Sequence, residues 1–285
     1  MPSTEMTRRQ FHRSAAIAAA GLSAALQATA AEPKAPGLKV TVIGDSTCIP
    51  DPGHDVASLL INGRHLIDTG WYAALKMREY GFDPLALESI WITHFHHDHY
   101  IGLPQLLFFV GLKQRAAPLT LAGPAEHLPQ ILKFTNEFLQ IARFPQLTVN
   151  LKVVPLTPGD GLELSDVRVE SFGVNHVSGK QQPEQAMAYK VSDKASGACF
   201  VYSGDTSHYP PLAEFARGVP LLVHDGSHTP AKAAAEVAKQ AGVGRLALIH
   251  YNQARGERLL QDAQAVFANS ELAKQGQTWE IPGKS

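Results

Sequence analysis

Four histidines and an aspartate, His94, His96, His97, Asp98 and His99, fill six consecutive positions that only Phe95 interrupts. Neutral imidazole and carboxylate are the side chains that bind zinc and similar divalent ions, so ligands packed this densely point to a metal site. A disordered His-rich scavenger would sit in a polar tail. Here the cluster stands between the β-rich "SIWIT" and the apolar "YIGLPQLLFF". In an extended segment side chains alternate, so His94, His96 and Asp98 lean to one side, Phe95 and His97 to the other, and His99 turns in from the loop.

One cluster cannot complete two metal sites, so further ligands must come from elsewhere. Three apolar strand-like runs end in a lone ligand-type residue: "VESFGVN" in His176, "CFVYSG" in Asp205 and "RLALI" in His250. Singly, His176 could cap a turn, Asp205 could form an Asx turn with Thr206, and His250 could be a satisfied core imidazole. Together they complete a ligand set. His228 precedes Thr229 and Pro230, where proline at the first helical position marks a helix N-terminus. An imidazole there could meet an anionic transition state or protonate a leaving group, or it could only cap the helix.

From Leu38 onward, short β-rich runs alternate with helical patterns, and no linker or repeat divides them. "SLLING" and "HLIDTG" read as a hairpin turning at Asn62-Gly63. "WYAALKMREYG" reads as a helix stopped by Gly81 and Pro84. Helices follow over about 103–113 and 126–141. Strands are expected at "LTLAG", "LTVNLKVVPL", "VRVESFGV", "MAYKVS", "CFVYSG", "PLLVHD" and "RLALIH", with a helix at 230–240. Two halves, each with strands then helices, imply two packed sheets with helices on their outer faces. Phe108, Phe109, Phe134, Phe138 and Phe144 fall at helical spacing and are expected in helix core, a pocket wall being the alternative.

The motif at 94–99, with Asp68 in "LIDTG", His176, Asp205 in "SGDT" and His250, resembles the metallo-β-lactamase-fold hydrolases with two zinc ions. "HTPAKAAAEVAKQAGVGRLALIHY" and "GDTSHYPPLAEFARGVPLLVHDGSH" resemble the ribonuclease Z and arylsulfatase-like branch. The likeness runs from Leu38 to about Asn252 and implies an α/β, four-layer αββα sandwich. Carried over by position, His94, His96 and His176 would bind one zinc, Asp98, His99 and His250 the second, and Asp205 would bridge them. Asp98 would also hold the attacking water, His228 would be catalytic, Asp68 would orient a ligand imidazole, and His224 could support the site by hydrogen bonding. Iron or manganese also suits these ligands, although His96 stands where a redox di-iron relative would carry a carboxylate.

Residues 1–31 differ from the rest: Arg8 and Arg9 with Phe11 precede an alanine-rich run ending "ATAA", which resembles a twin-arginine export signal. The mature domain, 32–285, would then work in the periplasm without a membrane span. The signal holds three of the 25 basic and one of the 26 acidic residues, so the remainder is net acidic by three. That balance lacks the electrostatic footprint of a nucleic-acid-gripping protein. Only 28 residues separate His176 from Asp205, too few for the tRNA-gripping arm of ribonuclease Z relatives. The expectation is a zinc-dependent hydrolase of a small phosphodiester or aryl sulfate. Lactone or β-lactam hydrolysis, tRNA 3′ processing, or a non-catalytic zinc-binding role are the alternatives, and the branch implies a homodimer. Cys48 and Cys199 could pair, but Cys199 reads more readily as a buried small hydrophobe.

Overall fold

The computed structural model describes residues 37–176 and 184–283. The expected export signal, residues 1–31, lies outside them. Among the described residues no helix is long and apolar enough to cross a membrane.

The first half contributes β1 (Leu38–Gly44), β2 (Ser58–Ile61), β3 (His65–Ile67), β4 (Ser89–Trp91), β5 (Leu119–Pro124) and β6 (Leu151–Leu156). β1 to β3 pair antiparallel, and β3 to β6 run parallel. The hairpin between β2 and β3 turns at Asn62 and Gly63, with φ of 51° and 72°, the left-handed pair that a type I′ turn requires. β7 (Gly161–Glu163) then leaves this sheet. The second half repeats the plan with β8 (Val167–His176), β9 (Glu184–Asp193), β10 (Cys199–Tyr202), β11 (Leu221–Asp225), β12 (Leu246–Ile249) and β13 (Ser270–Leu272). β8 to β10 are antiparallel and β10 to β13 parallel. β14 (Thr278–Ile281) crosses back to pair with β1, as β7 pairs with β8. Each half therefore lends its last strand to the edge of the other sheet.

Between the sheets lies a core of large side chains, among them Trp91, Tyr189, Phe200, Tyr202 and Met187, all inaccessible to solvent. On the outer face of the first sheet pack α1 (Ala73–Glu79), α3 (Leu103–Leu112) and α4 (Leu128–Phe138), which bury Met77, Leu106, Val110 and Ile131 against Ile90 and Leu121. The short α2 (His97–Tyr100) precedes α3. The second sheet is covered by α5 (Leu212–Phe215), α6 (Ala231–Ala241) and α7 (Gly256–Gln264). α6 packs Ala234, Ala235 and Ala238 on Leu222, Leu246 and Leu248, and ends at Gly242 with φ of 64°, the left-handed cap that glycine adopts without strain. Four layers, helix–sheet–sheet–helix, result.

β7, β13 and β14 were not expected from the sequence. Each has three or four residues at a sheet edge, too few to show a periodic pattern. The phenylalanines also depart from expectation. Phe109 packs on the outer core, but Phe108, Phe134, Phe138 and Phe144 keep between 36% and 72% of their surface exposed. Cys48 is exposed, Cys199 is buried, and both are free thiols.

Candidate metal centre

Parallel strands expose the main-chain ends of several neighbouring strands at one rim, and loops leaving that rim can bring distant residues together. Here the site is built from residues following β3, β4, β10 and β12 and from the ends of β8 and β11. Two of those exits are sharp. Asp68 and His250 both have left-handed backbone, with φ of 56° and 60°. Non-glycine residues in this region carry strain that the surrounding structure must offset, and such residues concentrate at functional sites.

Asp68 is fully buried and braces the segment that follows β4. Its Oδ1 accepts from the Thr93 amide at 2.8 Å, and its Oδ2 accepts from Thr93 Oγ1 and His99 Nδ1, both at 2.9 Å. Thr93 Oγ1 in turn lies 3.0 Å from His94 Nδ1. These bonds fix the Nδ1 side of both rings and leave Nε2 for another partner, the arrangement by which an outer hydrogen bond orients a metal-binding imidazole. The placement of Asp68 is thus that of the expected orienting carboxylate.

The alternation expected for 94–99 stops at His96. From His97 the chain turns into α2, so a helical turn, rather than strand alternation, brings in Asp98 and His99. His97 is exposed and His96 is half-buried. His94, His96 and His176 form one group and Asp98, His99 and His250 another, the candidate ligand atoms of each lying within 4.8 Å of one another. Asp205 lies between the groups. Its Oδ2 is 3.3 Å from His99 Nε2 and 4.0 Å from His94 Nε2, and its Oδ1 is 3.4 Å from His250 Nδ1.

The structure therefore brings together all seven positions named from the sequence, and it adds Asp225. This buried residue ends β11 and receives five backbone or imidazole donors. Oδ1 accepts from the Ser227 amide (2.8 Å) and lies 3.3 Å from His250 Nδ1; Oδ2 accepts from the Thr206 and His228 amides (both 3.2 Å) and from His228 Nδ1 (3.0 Å). The sequence signal was available: Asp225 is a lone carboxylate ending the apolar strand "PLLVHD", the rule that singled out Asp205. Its neighbour His224 drew attention instead. His224 points to the opposite face, and its Nδ1 donates to the Asp225 carbonyl at 2.9 Å, so it supports the main chain of Asp225 and touches no ligand group.

Electrostatics divide the site. Burial, then the surrounding imidazoles, hold His94 well below the ordinary histidine range, and burial lowers His176 to about 4. Both rings are neutral at pH 7, the form that binds metal. On the other side burial works against the charges but is outweighed: Asp205 and Asp68 raise His99 well above its usual range, and Asp205, Asp225 and Asp98 raise His250 to about 10. Asp98 and Asp225 are in turn held far below the ordinary carboxylate range despite burial, by His250 and His99 for the first and by His228 and His250 for the second.

The donor set fits metal. His94 Nε2, His99 Nε2, His176 Nδ1, His250 Nε2 and Asp205 Oδ1 are all buried without a hydrogen-bond partner. Orphaned buried polar atoms each cost about 1–3 kcal/mol, and five converging on one spot mark a place for cations. Beside them opens a cleft of about 380 Å³, lined by Cys48, Trp71, His96, His97, Asp98, Ile101, Asp205, His228 and His250.

A family model described as a beta-lactamase superfamily domain matches residues 64–251, from the β2–β3 turn to just beyond His250. Ribonuclease Z of Methanothermobacter thermautotrophicus is 28% identical over 302 residues, which cover 86% of this chain and 97% of that protein. Among solved structures, the metallo-beta-lactamase fold protein YhfI from Bacillus subtilis has a TM-score of 0.72 at 23% identity, covering 86% of this chain and 99% of its own. The short form of human tRNase Z has a TM-score of 0.67 at 20% identity, with 86% and 99% covered. The two structural likenesses establish the four-layer fold.

Proposed function

We propose, from the premise that the chain belongs to the beta-lactamase superfamily and is a metal-dependent hydrolase, that it is a phosphodiesterase with two metal ions. His94, His96 and His176 would hold one ion, Asp98, His99 and His250 the other, with Asp205 between them. Bound there, the ions would supply hydroxide at neutral pH and counter-charge for the attacked phosphorus centre.

The observation that carries the reading is the Asp225–His228 pair. His228 hangs over the cleft, 38% exposed, with Nδ1 3.0 Å from Asp225 and 3.5 Å from Asp205. The Asp225 hydrogen bond raises the His228 pKa against the effect of burial. With Nδ1 committed to that carboxylate, the imidazolium Nε2–H is the group left to protonate a departing oxygen. Asp98, lining the same cleft, would steady the attacking water on the opposite side. A poor leaving group such as the alkoxide of a phosphodiester is the case that needs such an acid.

Relatives named ribonuclease Z support a phosphodiester over a sulfate ester or a lactone, and they count against the expectation that no nucleic acid is bound. RNA is the second substrate reading for that reason. Against a long RNA stand two observations. The 302-residue alignment exceeds the whole 285-residue chain, so the relative has segments that this one lacks; and among the described residues no Lys or Arg lines the cleft. Export of the domain by the twin-arginine route, directed by residues 1–31, is part of the proposal, to be tested by fractionating cells that express residues 1–285.

The deciding experiment loads the protein with zinc and compares a nitrophenyl phosphodiester, a nitrophenyl sulfate and a tRNA precursor with a 3′ extension. Diester turnover supports the phosphodiesterase reading, and a loss in His228→Ala that is far greater for a diester with an alkoxide leaving group than for the nitrophenyl ester supports His228 as the acid. Cleavage of the precursor at rates the small diester cannot match moves the substrate to RNA, and sulfate preference rejects both.

A further inference from the structure

The cleft beside the metal centre has two unlike walls. One is the polar cluster; the other consists of Trp71, Ile101 and Cys48. We infer that this second wall is a specificity shelf on which a flat aromatic group of the alcohol retained on phosphorus stacks, so that the enzyme selects diesters whose non-leaving alcohol carries an aryl or nucleobase ring. The inference rests on the phosphodiesterase reading and names the substrate class of that same cleft.

Three observations carry it. First, the Trp71 indole is half-buried and its only heteroatom, Nε1, is buried without a partner. The part of the side chain offered to the cleft is therefore carbon, the ring surface on which another ring can stack. Second, the wall is rigidly built. The buried Asp55 carboxylate accepts from the Trp71 amide at 2.8 Å and the Tyr72 amide at 2.9 Å. Gly70, with φ of +48°, leaves room for that carboxylate, which a Cβ would meet at 2.9 Å. The Gly102 amide donates to the Gly70 carbonyl at 2.8 Å, and the Thr69 amide to the His99 carbonyl at 2.9 Å. These bonds tie the loop bearing Trp71 to the segment bearing Ile101, and both to the metal-side residues Asp68 and His99. Third, the shelf is left uncovered at a place where apolar surface has no structural duty: Ile101 is 45% exposed, and Ile49, next to Cys48, is 76% exposed. With no Lys or Arg among the described residues that line the cleft, this wall discriminates by apolar contact.

The test compares nitrophenyl esters that share one leaving group and differ in the other alcohol: methyl, phenyl and a nucleoside. In the zinc-loaded wild type, kcat/KM is expected to be about tenfold higher for the ring-bearing esters than for the methyl ester, the effect of one stacked ring. Trp71→Ala should remove that preference, bringing the ring-bearing esters down to the level of the methyl ester, and Trp71→Phe should restore part of it. A preference for phenyl alone identifies an aryl alcohol, and one for the nucleoside alone a nucleobase. Binding gives a second readout independent of turnover. Phenylphosphonate should bind more tightly than methylphosphonate by a similar factor, only when Trp71 is present, and should shield Cys48 from alkylation. Equal use of methyl and ring-bearing esters by the wild type, or a preference that survives Trp71→Ala, overturns the shelf. If no diester is hydrolysed but the phosphonates still discriminate through Trp71, the shelf stands and the phosphodiesterase reading falls.

Discussion

The Asp225 carboxylate holds His228 and His250 at once, and it does so from a fully buried position beneath the cleft. Replacing it with asparagine preserves shape but removes the charge that keeps His228 protonated. His228→Ala should lower kcat by about 10²–10⁴-fold, the range for loss of a general acid, and Asp225→Asn by less. The asparagine variant should also move the alkaline fall of the kcat profile to lower pH, because a raised histidine pKa is what keeps the acid form present as pH rises; an unmoved limb would remove Asp225 from that role. Metal loading has its own pH dependence. His250, raised to about 10, carries a proton at neutral pH that a metal must displace, so zinc affinity should climb with pH and binding should release protons, measurable by calorimetry in buffers of different ionisation enthalpy. The seven candidate ligands were legible in the sequence for two reasons: His94, His96, Asp98 and His99 crowd into one cluster between apolar runs, and His176, Asp205 and His250 are each a lone ligand-type residue after an apolar run. Asp225 satisfied the same rule and was hidden only by the histidine beside it, whose side chain leaves the strand on the other face.

At the scale of elements, the site depends on how α2 and α3 abut the loop after β3. Gly102, between the two helices, passes so close to that loop that a Cβ would lie 2.6 Å from the Thr69 carbonyl oxygen and 2.7 Å from that of Gly70. Neither is a flexible side-chain end, so backbone must move. Gly102→Ala is expected to displace α2, which carries Asp98 and His99, and to weaken zinc binding by tenfold or more, a far larger effect than its cost in thermal stability. Metal content after dialysis against graded chelator measures the first and a melting curve the second; full zinc retention would show that the two elements are not coupled through Gly102. The sequence announced α3 through its apolar run but not α2. A one-turn helix has no amphipathic period to read, and the dense histidines suggested an extended strand end. The hairpin at Asn62-Gly63 was legible because asparagine tolerates left-handed backbone and glycine, having no Cβ, adopts it freely.

For the molecule as a whole, the exchange of β7 and β14 makes the two halves interdependent, and a partly buried polar cluster fastens the place where β7 turns into β8. Asp166, in that turn, accepts from His65 Nε2 on β3 at 2.7 Å and from Asn62 Nδ2 in the β2–β3 hairpin at 2.7 Å, while His65 Nδ1 lies 2.8 Å from Ser89 Oγ on β4. Sheet is thereby tied to sheet at a side chain with no distinguishing sequence signal, since Asp166 in "LSDVRV" looks like an ordinary turn aspartate and its partners are 104 and 101 residues away. Burial alone would push its pKa up, but the bonds from Asn62 and His65 outweigh that and bring it down to about 2. The unfolded chain returns it to about 3.9. A carboxylate with a depressed folded pKa stabilises the native state above its unfolded value, and the contribution disappears as pH falls towards the folded one. Asp166→Asn should therefore cost about 1–3 kcal/mol at neutral pH, a penalty that shrinks between about pH 4 and pH 2 as the wild type itself becomes protonated. Urea unfolding of both proteins across that range measures it. A penalty that stays constant down to pH 2 would mean that the clamp works by shape and hydrogen bonding alone, and that the two sheets are held together by their apolar core without electrostatic help at this edge.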